Sequence, residues 1–267
     1  MNRFNRSLLG CLSAAAICVS LTMPSVPALA QQQPAVGFQP TVGQPGKDVV
    51  WVPTPQATVD NMLALAKVTP QDYLIDLGSG DGRTVITAAK RGIKAHGIEY
   101  NPDMVSLSKK NATAEGVGDR ATFAQADLFQ TDFSQATVLT MFLLQDINVR
   151  LRPTILNMKP GTRVVSNTFT MGDWSADETV TTPNCTSWCT ALLWIVPAKV
   201  EGTWKTPQGE LKLTQTYQNL SGTLGTNAIS NGKMSGDRIT FQVGNTKYEG
   251  RVAGNSIQGS GGFTATR

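Results

Sequence analysis

A mostly parallel α/β sheet, followed by a small C-terminal β-meander, is predicted by three observations. Strand-length apolar runs alternate with helical stretches through about 120 residues, the pattern of a parallel sheet covered on both faces. The first of these strands, Tyr73-Leu74-Ile75, leads directly into the glycine-rich string Asp76-Leu77-Gly78-Ser79-Gly80-Asp81-Gly82-Arg83. Beyond Pro197 glycine becomes dense and helical periodicity disappears.

The chain opens with Arg3 and Arg6 and no acid, runs apolar from Leu8 to about Leu21, and closes with Ala28-Leu29-Ala30. That is the layout of a secretory signal peptide over residues 1–30, with an apolar stretch shorter than a membrane-spanning helix needs. Residues 31–47, rich in Gln, Pro and Gly without periodicity, read as a disordered tether. Val59, Met62, Leu63 and Ala66 then recur at helical spacing, and Pro70 ends the pattern. Val85, Ile86 and Ala89 mark the inner face of the helix that follows the glycine turn, as a right-handed crossover requires. Lys94 to Ile98 is the second strand; Asn101 then caps a helix with Pro102 at its first position, where the missing N–H is not needed. Ala121 to Gln125 is a third strand, Thr137 to Leu144 a fourth, Ile147 to Met158 a helix, and Arg163 to Asn167 a fifth strand.

Thr179 to Thr182 and Ala191 to Val196 are two strands that flank the Cys185–Cys189 segment and end the α/β unit, residues 48–197. In residues 198–267 short strands are separated by Gly and Asn turns, which predicts a β-meander, either a half-barrel or a small twisted sheet.

The glycine string carries the chemistry. Gly78, Gly80 and Gly82 supply a turn that tolerates positive φ and lets a ligand approach the backbone. A dinucleotide fingerprint is G-x-G-x-x-G without a preceding acid, because a pyrophosphate rests on the helix N-terminus. Here the spacing is G-x-G-x-G, and Asp76 would repel an anionic cofactor and attract one that carries an ammonium and a sulfonium. These features point to S-adenosylmethionine. Glu99, at the end of the second strand, stands near the offset at which an acid accepts from ribose hydroxyls. Asp127, after the third strand, belongs beside the adenine. The candidate cofactor residues are therefore Asp76, Gly78, Ser79, Gly80, Gly82, Glu99 and Asp127.

Residues 52–174 resemble the mitochondrial protein-lysine methyltransferases that modify the ATP synthase c subunit and the adenine nucleotide translocase, together with their bacterial relatives. The matching segments include Val52-Pro53-Thr54, Asp76 to Arg83, Gly97-Ile98-Glu99-Tyr100-Asn101-Pro102, Asp127-Leu128 and Trp174. The resemblance implies a Rossmann-like class I methyltransferase sheet, mostly parallel with an antiparallel terminal hairpin formed by the two strands around the cysteines, S-adenosylmethionine as cofactor, protein lysine as an acceptor class, and a Val-Pro-Thr segment folded over the cofactor.

Catalytic residues are not singled out by the sequence, since methyl transfer relies on positioning and desolvation more than on acid–base groups. Trp51, Tyr100, Phe142 and Trp174 are candidate walls for a pocket that keeps a lysine amine neutral, and each reads equally as plain core. Asp146 is a candidate either for orienting that amine or for capping a helix. The Asn-Pro-Pro-Tyr signature of amide and nucleobase methylation is replaced by Leu143-Leu144-Gln145-Asp146.

Cleavage after Ala30 leaves 21 basic against 19 acidic residues, with no electrostatic footprint for nucleic acid. It also leaves Cys185 and Cys189, whose spacing suits a short disulfide loop in an exported, periplasmic or secreted protein. No metal set is present, because His96, the only histidine, belongs to a core strand. Two further readings stay open: a small-molecule methyltransferase, and an exported adenosyl-ligand-binding module without turnover.

Overall fold

The computed structural model describes residues 37–267; the expected signal peptide, residues 1–30, lies outside them. The α/β part contains α1 (Gln56–Leu65), β1 (Tyr73–Leu77), α2 (Arg83–Lys90), β2 (Lys94–Glu99), α3 (Pro102–Ala114) and β3 (Ala121–Gln125). It continues through β4 (Val138–Met141), α4 (Gln145–Ile155), β5 (Arg163–Asn167), β6 (Glu178–Thr181) and β7 (Thr190–Ile195). These seven strands form one sheet in the order β3-β2-β1-β4-β5-β7-β6. β1 to β5 are parallel, and β7 runs antiparallel to both β5 and β6, so the expected terminal hairpin is present.

Period-2 alternation divides the sheet's side chains between two cores. Leu74 and Val138 face Val59 and Leu63 of α1 and Val85 and Ala89 of α2. Ile75, Leu77, Leu139 and Met141 face Ile147, Leu151 and Ile155 of α4 together with Trp174 and Trp194. Asn101 caps α3 as expected, its Oδ1 accepting from the N–H of Asp103 at 2.9 Å and of Met104 at 3.4 Å.

Strand and helix do not alternate throughout. Between β3 and β4 the chain runs without a helix, because Asp127 and Asp132 close Asx turns on the N–H groups of Phe129 and Ser134 (2.9 and 2.8 Å).

The C-terminal part differs more. The expected open meander is a closed barrel. Its strands are β8 (Gly202–Thr206), β9 (Gly209–Thr216), β10 (Asn219–Leu224), β11 (Asn227–Ala228), β12 (Ser230–Ser235), β13 (Arg238–Val243), β14 (Thr246–Ala253), β15 (Ser256–Gly259) and β16 (Thr264–Thr266). All are antiparallel, and the ring of eight closes because β8 pairs with both β9 and β16 while β9 also pairs with β10; the short β11 hangs on β10. Closure removes the sheet edges that an open meander would expose. Gly222, in β10 at φ +145°, is one bend that permits it, since only a residue without Cβ fits so close to the Lys212 backbone of β9. The interior is a packed core of Trp204, Leu211, Met234, Ile239, Phe241 and Ile257.

Candidate functional site

The turn between β1 and α2 stands on three glycines at positive φ: Gly78 at +76°, Gly80 at +54° and Gly82 at +84°. The N–H groups of Gly78 and Ser79 both donate to the carbonyl of Ile98 on β2, at 2.9 and 3.0 Å. The N–H of Gly80 donates to Glu99 Oε2, and that of Asn101 to Glu99 Oε1, each at 2.9 Å. Glu99 is thereby fixed through both oxygens, yet an ionised carboxylate offers about four lone-pair sites, so two remain for a ligand.

Asp76, Gly78, Ser79, Gly80, Glu99 and Asp127 line one cleft, with about 1040 Å³ of open space at the carboxyl edge of the sheet. That is where a parallel α/β sheet binds its ligands. Gly82 is not among its lining residues. It sits at the N-terminus of α2, where a Cβ would come within 2.8 Å of the Phe123 ring and 2.9 Å of Ser108 Cβ.

Asp76 is buried at the end of β1, with Oδ1 accepting from the Thr140 hydroxyl at 2.6 Å. Burial pushes its carboxyl up to about 7; the Thr140 bond opposes this, and the Glu99 and Asp81 carboxylates add to it. The strand end thus disfavours further negative charge and is suited to a ligand that brings positive charge. Asp127 differs: the Phe129 N–H and Lys47 hold its carboxyl below the ordinary range. The Ser79 hydroxyl is buried without a hydrogen-bond partner among the described residues. The nearest guanidinium, Arg83, is tied to Asp81 at 2.6 Å and to the Thr54 carbonyl at 2.9 Å. These groups suit a cationic adenosyl ligand, and among the described residues the cations lining the cleft, Arg83 and Lys47, are already paired with Asp81 and with Asp48 and Asp127.

Three expected wall residues, Trp51, Tyr100 and Phe142, do line the cleft. Trp174 does not; it is fully buried between sheet and barrel. Asp146 is exposed in the first turn of α4 and lies off the cleft lining, and Leu144 holds the N-cap position. His96 pairs with Thr122 Oγ1 across neighbouring strands at 2.8 Å. The expected Cys185–Cys189 disulfide is present in the loop between β6 and β7.

Several contributors carry no sequence signal. Ser108 of α3 donates to the Gly80 carbonyl at 2.8 Å, and Asn111 donates to the Asp81 carbonyl at 3.0 Å, so α3 buttresses the glycine turn. The stretch expected as a tether contributes too: Lys47 forms an ion pair with Asp127 at 3.2 Å and lies 5.3 Å from the Tyr100 ring centroid. Gln44, Pro45 and Gly46 line the cleft with it, and Trp51 continues this cover, its indole nitrogen 2.7 Å from where a Gly80 Cβ would stand.

Comparison with known proteins agrees with this geometry. Residues 76–178 match the family model described as the ANTKMT methyltransferase domain. A protein-lysine N-methyltransferase of Saccharolobus islandicus is 44% identical over 135 residues, covering 49% of this chain and 84% of that protein. The rat lysine N-methyltransferase of the ATP synthase c subunit is 34% identical over 130 residues, and the match spans 60% of its length and 48% of this chain. Among solved structures, an RNA methyltransferase from Salinibacter ruber in complex with S-adenosyl-L-homocysteine is 46% identical, with a TM-score of 0.52. It covers 56% of this chain and 96% of that one.

Proposed function

The chain belongs to the family of the protein-lysine N-methyltransferases, and on that premise we propose that it transfers a methyl group from S-adenosylmethionine to the side-chain amine of a protein lysine. The observation that carries the reading is the carboxylate-walled cleft, with Asp76, Glu99 and Asp127 spread across the ends of β1, β2 and β3. S-adenosylmethionine supplies a methyl carbon made electrophilic by its sulfonium leaving group.

The chain's own groups orient and desolvate. Asp76 would hold the cofactor's positive end, Glu99 its ribose hydroxyls and Asp127 its adenine amine. Gly78, Ser79 and Gly80 bring backbone against the ligand, and Gly82 lets α2 begin where it does. Trp51 and Phe142 exclude water, which favours the neutral, nucleophilic amine over its ammonium form.

The leader layout expected from the sequence of residues 1–30 and the Cys185–Cys189 disulfide support export to an oxidising compartment. No helix among the described residues is long and apolar enough to cross a membrane.

Calorimetric titration with S-adenosylmethionine and S-adenosylhomocysteine, repeated on Asp76→Ala and Glu99→Ala, tests the cofactor site: both substitutions are expected to abolish binding. Labelled-methyl transfer then separates the acceptors. Label recovered as methyllysine supports the proposal, whereas label in RNA or in a small molecule overturns it. Binding without transfer to any acceptor moves the reading to an exported adenosyl-ligand-binding module.

A further inference from the structure

The carboxylates end where a row of aromatic rings begins. In the strand order β3-β2-β1-β4-β5-β7, Asp127 follows β3, Glu99 ends β2 and Asp76 lies one residue before the end of β1; Phe142 follows β4, Phe169 follows β5, and Trp188 precedes β7. Because β7 is antiparallel to β5, with Asn167 opposite Ala191, Trp188 stands at the same edge of the sheet as the other five. The three rings form a closed triangle, with centroid separations of 6.0 Å (Phe142–Phe169), 5.5 Å (Phe142–Trp188) and 5.7 Å (Phe169–Trp188). This is not core packing: the two phenylalanines are half-buried and Trp188 is 38% exposed.

The backbone is held out of its preferred region to present them. Trp188 itself is at φ +57°, and Thr168, just before Phe169, is at φ +63°. Left-handed geometry is rare for a β-branched or bulky residue and persists only where the surroundings enforce it, commonly at functional sites. Those surroundings are visible. The Cys185–Cys189 disulfide closes the loop, Thr182 N–H donates to the Cys189 carbonyl at 2.7 Å, and the buried Thr58 hydroxyl of α1 donates to the Trp188 carbonyl at 3.4 Å. Thr168 N–H donates to the Thr190 carbonyl at 2.7 Å, which ties the two strained turns together.

We propose that Trp188, presented by the Cys185–Cys189 loop and backed by Phe142 and Phe169, is the acceptor-side wall of the cleft and sets affinity for the aliphatic stem and amine of the incoming lysine. The inference rests on the lysine-methyltransferase reading above. Phe142 joins the wall to the cleft, since it lines that cleft itself. Ring faces attract an ammonium on approach and, once water is displaced, favour its neutral form. The disulfide makes Trp188 a positioning device that only an oxidising compartment completes.

The test is labelled-methyl transfer to poly-L-lysine, with S-adenosylhomocysteine affinity and melting temperature measured on the same preparations. Trp188→Ala is expected to raise the acceptor KM about tenfold and to change kcat less than about threefold, with S-adenosylhomocysteine affinity unaltered. Trp188→Phe should stay near wild type, and the Cys185→Ser/Cys189→Ser double variant should reproduce the Trp188→Ala KM. An unchanged acceptor KM in Trp188→Ala, or a KM change that comes with lost S-adenosylhomocysteine affinity, overturns the wall. If the wild-type protein itself labels no lysine while binding S-adenosylhomocysteine, the lysine reading fails first and the wall falls with it.

Discussion

Asp76 is a carboxylate in a place that favours the neutral acid. Its ordinary value lies near 3.9, and burial lifts it to about 7 in the folded protein. Between those values the native state holds a proton that the unfolded chain has released, so this residue's contribution is intact below about pH 4 and is lost as pH rises through 7. The loss is bounded at about 4 kcal/mol, from roughly three pKa units at 1.36 kcal/mol each. Asp76→Asn is therefore expected to melt progressively higher than wild type as pH is raised from 4 to 8 without ligand. With S-adenosylmethionine the order reverses: wild-type affinity rises as Asp76 ionises, and the variant's stays low and flat. Melting curves and calorimetry across that range check both statements. A constant melting difference between the two proteins would show that Asp76 is already ionised at pH 4.

The glycine turn works as a unit with α3 and β3. At Gly82 the backbone is at φ +84°, and a Cβ would collide with the Phe123 ring on β3 and with Ser108 on α3. Gly82→Ala combines left-handed strain with overpacking and is expected to cost about 2–4 kcal/mol. Because Ser108 also donates to the Gly80 carbonyl, that shift should weaken S-adenosylhomocysteine binding although Gly82 does not line the cleft. Denaturant unfolding paired with calorimetry reads both effects, and unaltered affinity in a destabilised variant would uncouple the cap from the site. This turn was readable from residues alone because spacing, acid and strand lie within one short string. The Asn101-Pro102 helix start was readable for the same reason, whereas the pairing of the terminal hairpin followed from the family resemblance. Other features depend on contacts distant in sequence. Nothing in Gln44 to Lys47 foretells an ion pair with Asp127, nothing in Phe169 or Trp188 foretells their meeting with Phe142, and closure of the barrel rests on β9 pairing with both β8 and β10. Composition identified short strands and turns there, but an open and a closed arrangement share that composition.

Sheet and barrel meet at a polar seam set in apolar surroundings. The Trp174 indole N–H donates to Gln218 Oε1 at 2.9 Å, Gln218 Nε2 donates to the Ser175 carbonyl at 2.8 Å, and the Trp194 indole N–H donates to the Trp174 carbonyl at 2.8 Å. Tyr217 stacks on Trp174 with centroids 5.8 Å apart, and its hydroxyl donates to Asp173 at 2.9 Å. Trp174 and Gln218 are both buried, so water cannot replace a lost partner. The barrel thus completes the core that begins under β5 and β7, and the two parts are expected to unfold together. Gln218→Ala strands the Trp174 N–H and the Ser175 carbonyl and should cost about 1–3 kcal/mol, lowering the melting temperature by roughly 2–4 °C for each of those. Scanning calorimetry should record one transition in both proteins, with S-adenosylhomocysteine affinity unchanged because the seam lies away from the cleft. Two transitions in the wild type, with only the later-melting one insensitive to Gln218→Ala, would mean that the barrel folds as a separate body and that the seam adds little to the methyltransferase sheet. A single transition displaced by the substitution makes the barrel a structural requirement of that sheet, and an attempt to express residues 48–197 alone should then yield aggregated protein with Trp174 stripped of Tyr217 and Gln218.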